Sequence, residues 1–109
     1  MSHHSSELAA RWREMSLAQQ LANVGSEVSR MIKWRGRDAA LAERAFERML
    51  ELLDLSLGCT RQFARLKELA RVRELLVGAW LSDLPAGDQE WESWNRYFLQ
   101  FAMLARNTA

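Results

Sequence analysis

Two histidines, one cysteine and fourteen acidic side chains are the groups in this sequence best suited to chemistry, and their spacing removes most of the options. His3 and His4 are adjacent, and no other histidine follows. Nucleophilic catalysis of the Ser–His or Cys–His kind needs the base within hydrogen-bond reach of the nucleophile, so no such pair can be built in the body of the chain. Cys59 stands between Gly58 and Thr60, just ahead of an expected helix, and is the one candidate thiol nucleophile. Without a partner base its plainer reading is an incidental loop thiol. Cysteine and histidine nowhere recur at zinc-ligand spacing. The Glu-x-x-His pattern of di-iron bundles is absent, and the five glycines are too scattered for a phosphate loop. Glu47 with Glu51, and Glu90 with Glu92, are the closest carboxylate pairs, and a solvated helix face accounts for them. The expectation is therefore no catalytic residue, no metal and no cofactor, with an enzyme of unidentified type as the remotest reading.

Two sets of residues point instead to binding. The first is basic. Arg35 and Arg37 follow Trp34 closely, and Arg61 and Arg65 open a later helix. Brought together, these four arginines would hold the phosphates of a nucleic acid or another polyanion, with Trp34 free to stack. Against this, the net charge is only +1. Arg71 and Arg73, further along the same helix, point about 200° apart, so the cations make no single stripe. The second set is aromatic. Five tryptophans in 109 residues is a high share, and Trp12, Trp34 and Trp80 cannot all fit a small core beside Trp91 and Trp94. Tryptophan is enriched among interface anchors. Trp34, Trp80, Trp91 and Trp94 are accordingly the candidate contacts for a protein partner or a second copy.

The elements that position these residues read as helices. One proline, Pro85, and few glycines leave long unbroken stretches. Leu17, Leu21, Val24, Val28 and Met31 step by four and three, predicting a helix over 17–34. Ser16 and Gln19 have capping-box spacing at its start. Gly25 lies inside it, where a missing side chain marks a close helix contact. Gly36 ends the run, and Asp38 opens a helix over 38–57. A third helix is expected over 61–82, capped by Thr60 and striped by Phe63, Leu66, Leu69, Leu76 and Trp80. A fourth is expected over 89–106, capped by Asp88 and striped by Trp91, Trp94, Phe98, Phe101 and Ala105. The architecture this implies is all-α, an antiparallel up-down four-helix bundle over 15–109. The polar opening, 1–14, reads as a flexible N-terminal extension or a non-native start.

Two resemblances bear on this reading. The run Ala42-Glu43-Arg44-Ala45-Phe46-Glu47-Arg48-Met49-Leu50-Glu51-Leu52 resembles the second helix of a tetratricopeptide repeat, with its A-x-x-x-F and L-E-L pattern, and Gly25 matches the first-helix glycine. The separation is about five residues too long, and no second copy follows. The small four-helix shape is also similar to HEPN-type nuclease domains. Those depend on an arginine followed shortly by histidine near the last helix. Neither Arg96 nor Arg106 is followed by one, so that activity is not implied.

No apolar run approaches the roughly 20 residues that span a bilayer, and a lone cysteine suits a reducing cytoplasm. The function expected is a protein–protein interaction or self-associating module, homodimer included. Polyanion binding is the alternative.

Overall fold

The computed structural model describes residues 3–84 and 86–107, with side chains described from residue 6 onward. The break expected at Pro85 lies outside the described residues, as do the His3 and His4 side chains. The described residues form five helices and no strand: α1 (His3–Glu14), α2 (Leu17–Trp34), α3 (Ala39–Cys59), α4 (Phe63–Leu81) and α5 (Asp88–Asn107). The expected count of four is thus corrected to five, because the opening segment is itself helical.

Local chemistry accounts for the ends of α2 and the start of α3. Ser16 Oγ accepts from the Gln19 amide at 3.1 Å, and Gln19 Oε1 accepts from the Ser16 amide at 2.8 Å, so the capping box is complete. Gly36 takes the left-handed φ of 77° that turns the chain after α2. Asp38 Oδ1 then caps α3 by accepting from the Leu41 amide at 3.1 Å. The other ends differ from expectation. Thr60 does not cap α4; its Oγ1 donates backwards to the Ser56 carbonyl at 2.7 Å and closes α3. Gln62 sits at the α4 N-cap without a side-chain bond. Asp88 lies inside the first turn of α5, where its charge suits the helix dipole.

Side-chain pairs give the helix order. Ser29 meets Asn95 and Arg35 meets Asp88, so α2 and α5 run antiparallel. Asp54 meets Arg73 and Glu43 meets Trp80, so α3 and α4 do as well. Glu68 meets Tyr97 and Trp80 meets Trp91, which sets α4 against α5 in the same sense. α2 is the central element. Its Leu21, Val24, Val28 and Met31 are fully buried, against Met49 and Leu53 of α3 and Phe98 and Phe101 of α5. α4 closes the core from the far side with Leu69 and Leu76.

Gly25 lets α5 come this close. A Cβ there would lie 2.5 Å from Phe98 Cβ and 3.1 Å from its Cγ. One expectation about stripes needs correcting. Phe63 heads α4 but is 78 % exposed, because the first turn projects beyond the core. Leu52 of α3 is buried, because α3 packs against α1 and α4 as well as α2.

Residues 3–14 of the opening segment, which the sequence suggests as a flexible extension or a non-native start, form α1. Trp12 is 2 % exposed, and its Nε1 donates to Ser56 Oγ, which is wholly buried, at 2.9 Å. Gln20 Nε2 donates to the Trp12 carbonyl at 2.8 Å and to that of Met15 at 3.3 Å. These bonds tie the end of α1 to α2, and the Trp12 carbonyl also takes the Met15 amide at 3.1 Å.

Three outcomes follow in denaturant unfolding. Gly25→Ala lowers stability by about 1–3 kcal/mol, since the new methyl meets the root of a ring and not a flexible tip. Gly78→Ala, with nothing near its Cβ, raises it by up to about 1 kcal/mol. Trp12→Ala costs about 3–5 kcal/mol; a loss below about 1 kcal/mol would mean that α1 contributes no core.

Candidate functional site

The four candidate tryptophans are not equivalent. Trp91 is 3 % exposed and belongs to the core, so it presents no surface to a partner. Trp80 is half-buried, stacked on Phe46 at 5.5 Å and edge-on to Trp91 at 5.9 Å, with its Nε1 donating to Glu43 at 3.3 Å. Trp94 is half-buried and meets Tyr97 edge-to-face at 5.9 Å. Trp34 is half-buried at the end of α2, with the Lys33 ammonium 5.0 Å from its ring. Trp80, Trp91 and Trp94 each pack against at least one neighbouring ring.

The four candidate arginines are not brought together. Arg35 and Arg37 lie at the α2–α3 turn, and Arg61 and Arg65 at the α3–α4 turn. α3 separates the two turns, and its 21 residues rise about 30 Å. Arg35 pairs with Asp88 and lies 5.8 Å from the Trp91 ring. Arg65 pairs with Glu68 at 3.1 Å. Of the carboxylate pairs, Glu51 binds Arg48 at 3.0 Å, one turn along an exposed face. Among the described residues, no three His, Cys, Asp or Glu side chains gather in a metal-binding group.

The surface feature that sequence reasoning missed lies between α2 and α5. A cavity of about 340 Å³ is walled by Ala22, Gly25, Ser26 and Ser29 on one side and by Asn95, Phe98, Leu99 and Ala102 on the other. The α2 wall is low because its residues are small. The α5 wall is high: Leu99 is 51 % exposed, and Met103, one turn on, is 55 % exposed. One cue was present in the sequence. Leu99 and Met103 are an i,i+4 apolar pair lying off the aromatic stripe, and two such residues share a helix face. Exposed apolar pairs of this kind mark interaction surfaces more often than isolated leucines do.

Polar and aromatic contacts tie α4 to its neighbours. Arg73 donates to Asp54 at 2.6 and 3.4 Å, which raises the pKa of its guanidinium further. Tyr97 Oη donates to Glu68 Oε2 at 2.6 Å. Burial first, then the hydrogen bond and charge of Glu68, push the Tyr97 phenol well above its ordinary value, and Arg65 opposes the shift weakly. This pair joins α4 to α5 in the neutral-phenol state only.

No protein-family model matches the chain, and no curated protein and no solved structure is significantly similar to it.

Tyr97 is the single tyrosine, so phenolate absorbance reports it alone. The native protein should titrate with a midpoint clearly above the denatured midpoint of about 10. Because the folded pKa is the higher one, the linked stability is present below about pH 10 and is lost as pH rises further. Tyr97→Phe removes that alkaline loss; an unchanged slope would show that Tyr97 ionisation is not linked to unfolding.

Proposed function

We propose that the protein is a self-associating helical module whose second copy docks on the α2–α5 face. The observation that carries this reading is the pairing of a low wall with a high one on a single surface. A two-fold interface is built from the same patch on both copies, so it needs knobs and holes together. Leu99 and Met103 supply the knobs, and the groove beside Ala22 and Ser26 supplies the hole. In this reading α2–α5 serve as an up-and-down four-helix scaffold, and α1 straps one end. Trp34 and Trp94 are left as contacts at the margins, and no catalytic step is involved.

Nucleic-acid binding draws less support. Its four arginines sit at opposite ends of α3, and two of them already hold carboxylates.

Light scattering on a sizing column at tens of micromolar tests the reading. The unaltered chain should run as a dimer. The double variant Leu99→Arg/Met103→Arg should run as a monomer with unchanged helicity, because substitutions at exposed positions shift stability by only about 0.5 kcal/mol. Leu81→Arg, on an exposed leucine of α4, should leave the dimer intact. A monomeric unaltered chain, or a dimer that survives the double variant, would remove this face as the self-interface.

A further inference from the structure

Five methionines stand in the chain, and the four whose side chains are described differ sharply in exposure. Met31 of α2 and Met49 of α3 are wholly buried in the core. Met15 is half-buried where α1 meets α2, against a smaller cavity of about 250 Å³ that Arg13 also borders. Its sulfur accepts from Asn23 Nδ2 at 3.8 Å. Met103 is 55 % exposed, one turn beyond Leu99 on α5. Cys59, the remaining sulfur, is half-buried and packed against the core.

A thioether reacts with a peroxide through a sulfur lone pair that the oxidant can reach, so exposure ranks Met103 first. The step balances without any further reagent. Sulfur attacks one peroxide oxygen, the S–O bond forms as the O–O bond breaks, and the other oxygen leaves as water with both protons. Sulfur is oxidised by two electrons and the peroxide is reduced by two. The product is a polar sulfoxide where an apolar side chain stood.

The position of Met103 gives that change a consequence. With Leu99 it forms the high wall of the α2–α5 face, and Ala102 beside it lines the groove. Ser26 and Ser29, on the low wall, already donate their hydroxyl protons, to the Ala22 carbonyl at 3.3 Å and to Asn95 Oδ1 at 2.9 Å. A sulfoxide entering there brings a strong acceptor that these hydroxyls do not meet, and burying it unmatched is costly.

We propose that Met103 is a reversible oxidation site for hydrogen peroxide and that its sulfoxide dissociates the pair of copies docked on the α2–α5 face. The second half rests on the self-association proposed above; the first half does not. A copy that seats Met103 also covers its sulfur, so oxidation proceeds through the monomer and slows as the dimer fills. Thiol-dependent reductases, one for each sulfoxide epimer, return the thioether.

Brief peroxide treatment of the full-length chain, mapped by mass after proteolysis, should place the first added oxygen on Met103, well ahead of Met15. Met31 and Met49 should stay unmodified while the fold persists. Oxidation should slow several-fold as the protein concentration rises through the dimer range. Light scattering on the oxidised chain should show association at least about tenfold weaker, the scale of one buried acceptor left without a donor. Treatment with both reductases should restore the dimer. Met103→Leu, which conserves volume and keeps every other methionine, should hold its dimer through the same peroxide. Cys59→Ser should respond as the unaltered chain does, which separates the thioether from the thiol. Met15 oxidising as fast as Met103 overturns the modification site. A dimer indifferent to the Met103 sulfoxide, or one lost equally in Met103→Leu, overturns the coupling and leaves the interface standing. A chain monomeric before oxidation overturns the coupling together with the self-association reading, and the order of oxidation then decides the modification site alone.

Discussion

The close approach of α2 and α5 at Gly25 constrains the rest of the molecule. With no side chain there, Phe98 rests directly against the α2 backbone, and a methyl would overlap it at 2.5 Å. α2 can then bury one stripe against α3 and α5 together, and Leu21, Val24, Val28 and Met31 disappear from solvent completely. The same small residues have a second effect. Ala22, Ser26 and Ser29 bring the helices near but cannot fill the space beside Leu99, so a groove is left on the outside. The surface feature is thus a by-product of the core constraint, and it would persist whether or not a partner uses it.

α4 is held differently. Leu69, Val72 and Leu76 anchor it, but its other ties are the Arg73–Asp54 and Glu68–Tyr97 pairs and the Trp80 ring stack. Exposed ion pairs contribute about 0–1 kcal/mol each, well below the burial of one large apolar side chain. Phe63, Leu75 and Leu81 remain open along its length. By that measure α4 is the element best suited to open locally before the others, while α2, α3 and α5 stay closed around Gly25.

What the sequence made legible follows from how local each cause is. The Ser16–Gln19 box, the turn at Gly36 and the Asp38 cap involve residues within three positions of one another, and all three occur as read. The stripe of α2 and the close contact at Gly25 were legible because a helix repeats its faces strictly. Thr60 was misread because a hydroxyl has two directions in which to bond, and the choice depends on where α3 ends. Trp12 was missed for a longer-range reason. Its burial rests on Ser56, 44 residues away, and nothing in the polar opening segment announces a partner that distant. The aromatic set was legible only in part, since of its four members Trp91 alone lies in the core. Tryptophan is large enough to be half-buried and still contribute to the core, so a surplus of rings is absorbed by stacking before it becomes a partner surface.

The buried bond between Trp12 and Ser56 also organises the other end of the molecule. Docking Trp12 fixes the last turn of α1, and the end of that turn carries Arg13 to the rim of the smaller cavity. The carbonyls of Trp12 and Met15 then hold the Gln20 amide in one orientation. Ser56 supports the same end from α3, since its carbonyl takes Thr60 Oγ1 just before the α4 N-terminus. That orientation rests on a tryptophan near one end of the chain packing on a serine in its middle, and a change that loosened α1 would release the Gln20 amide before it disturbed the hydrophobic core around α2.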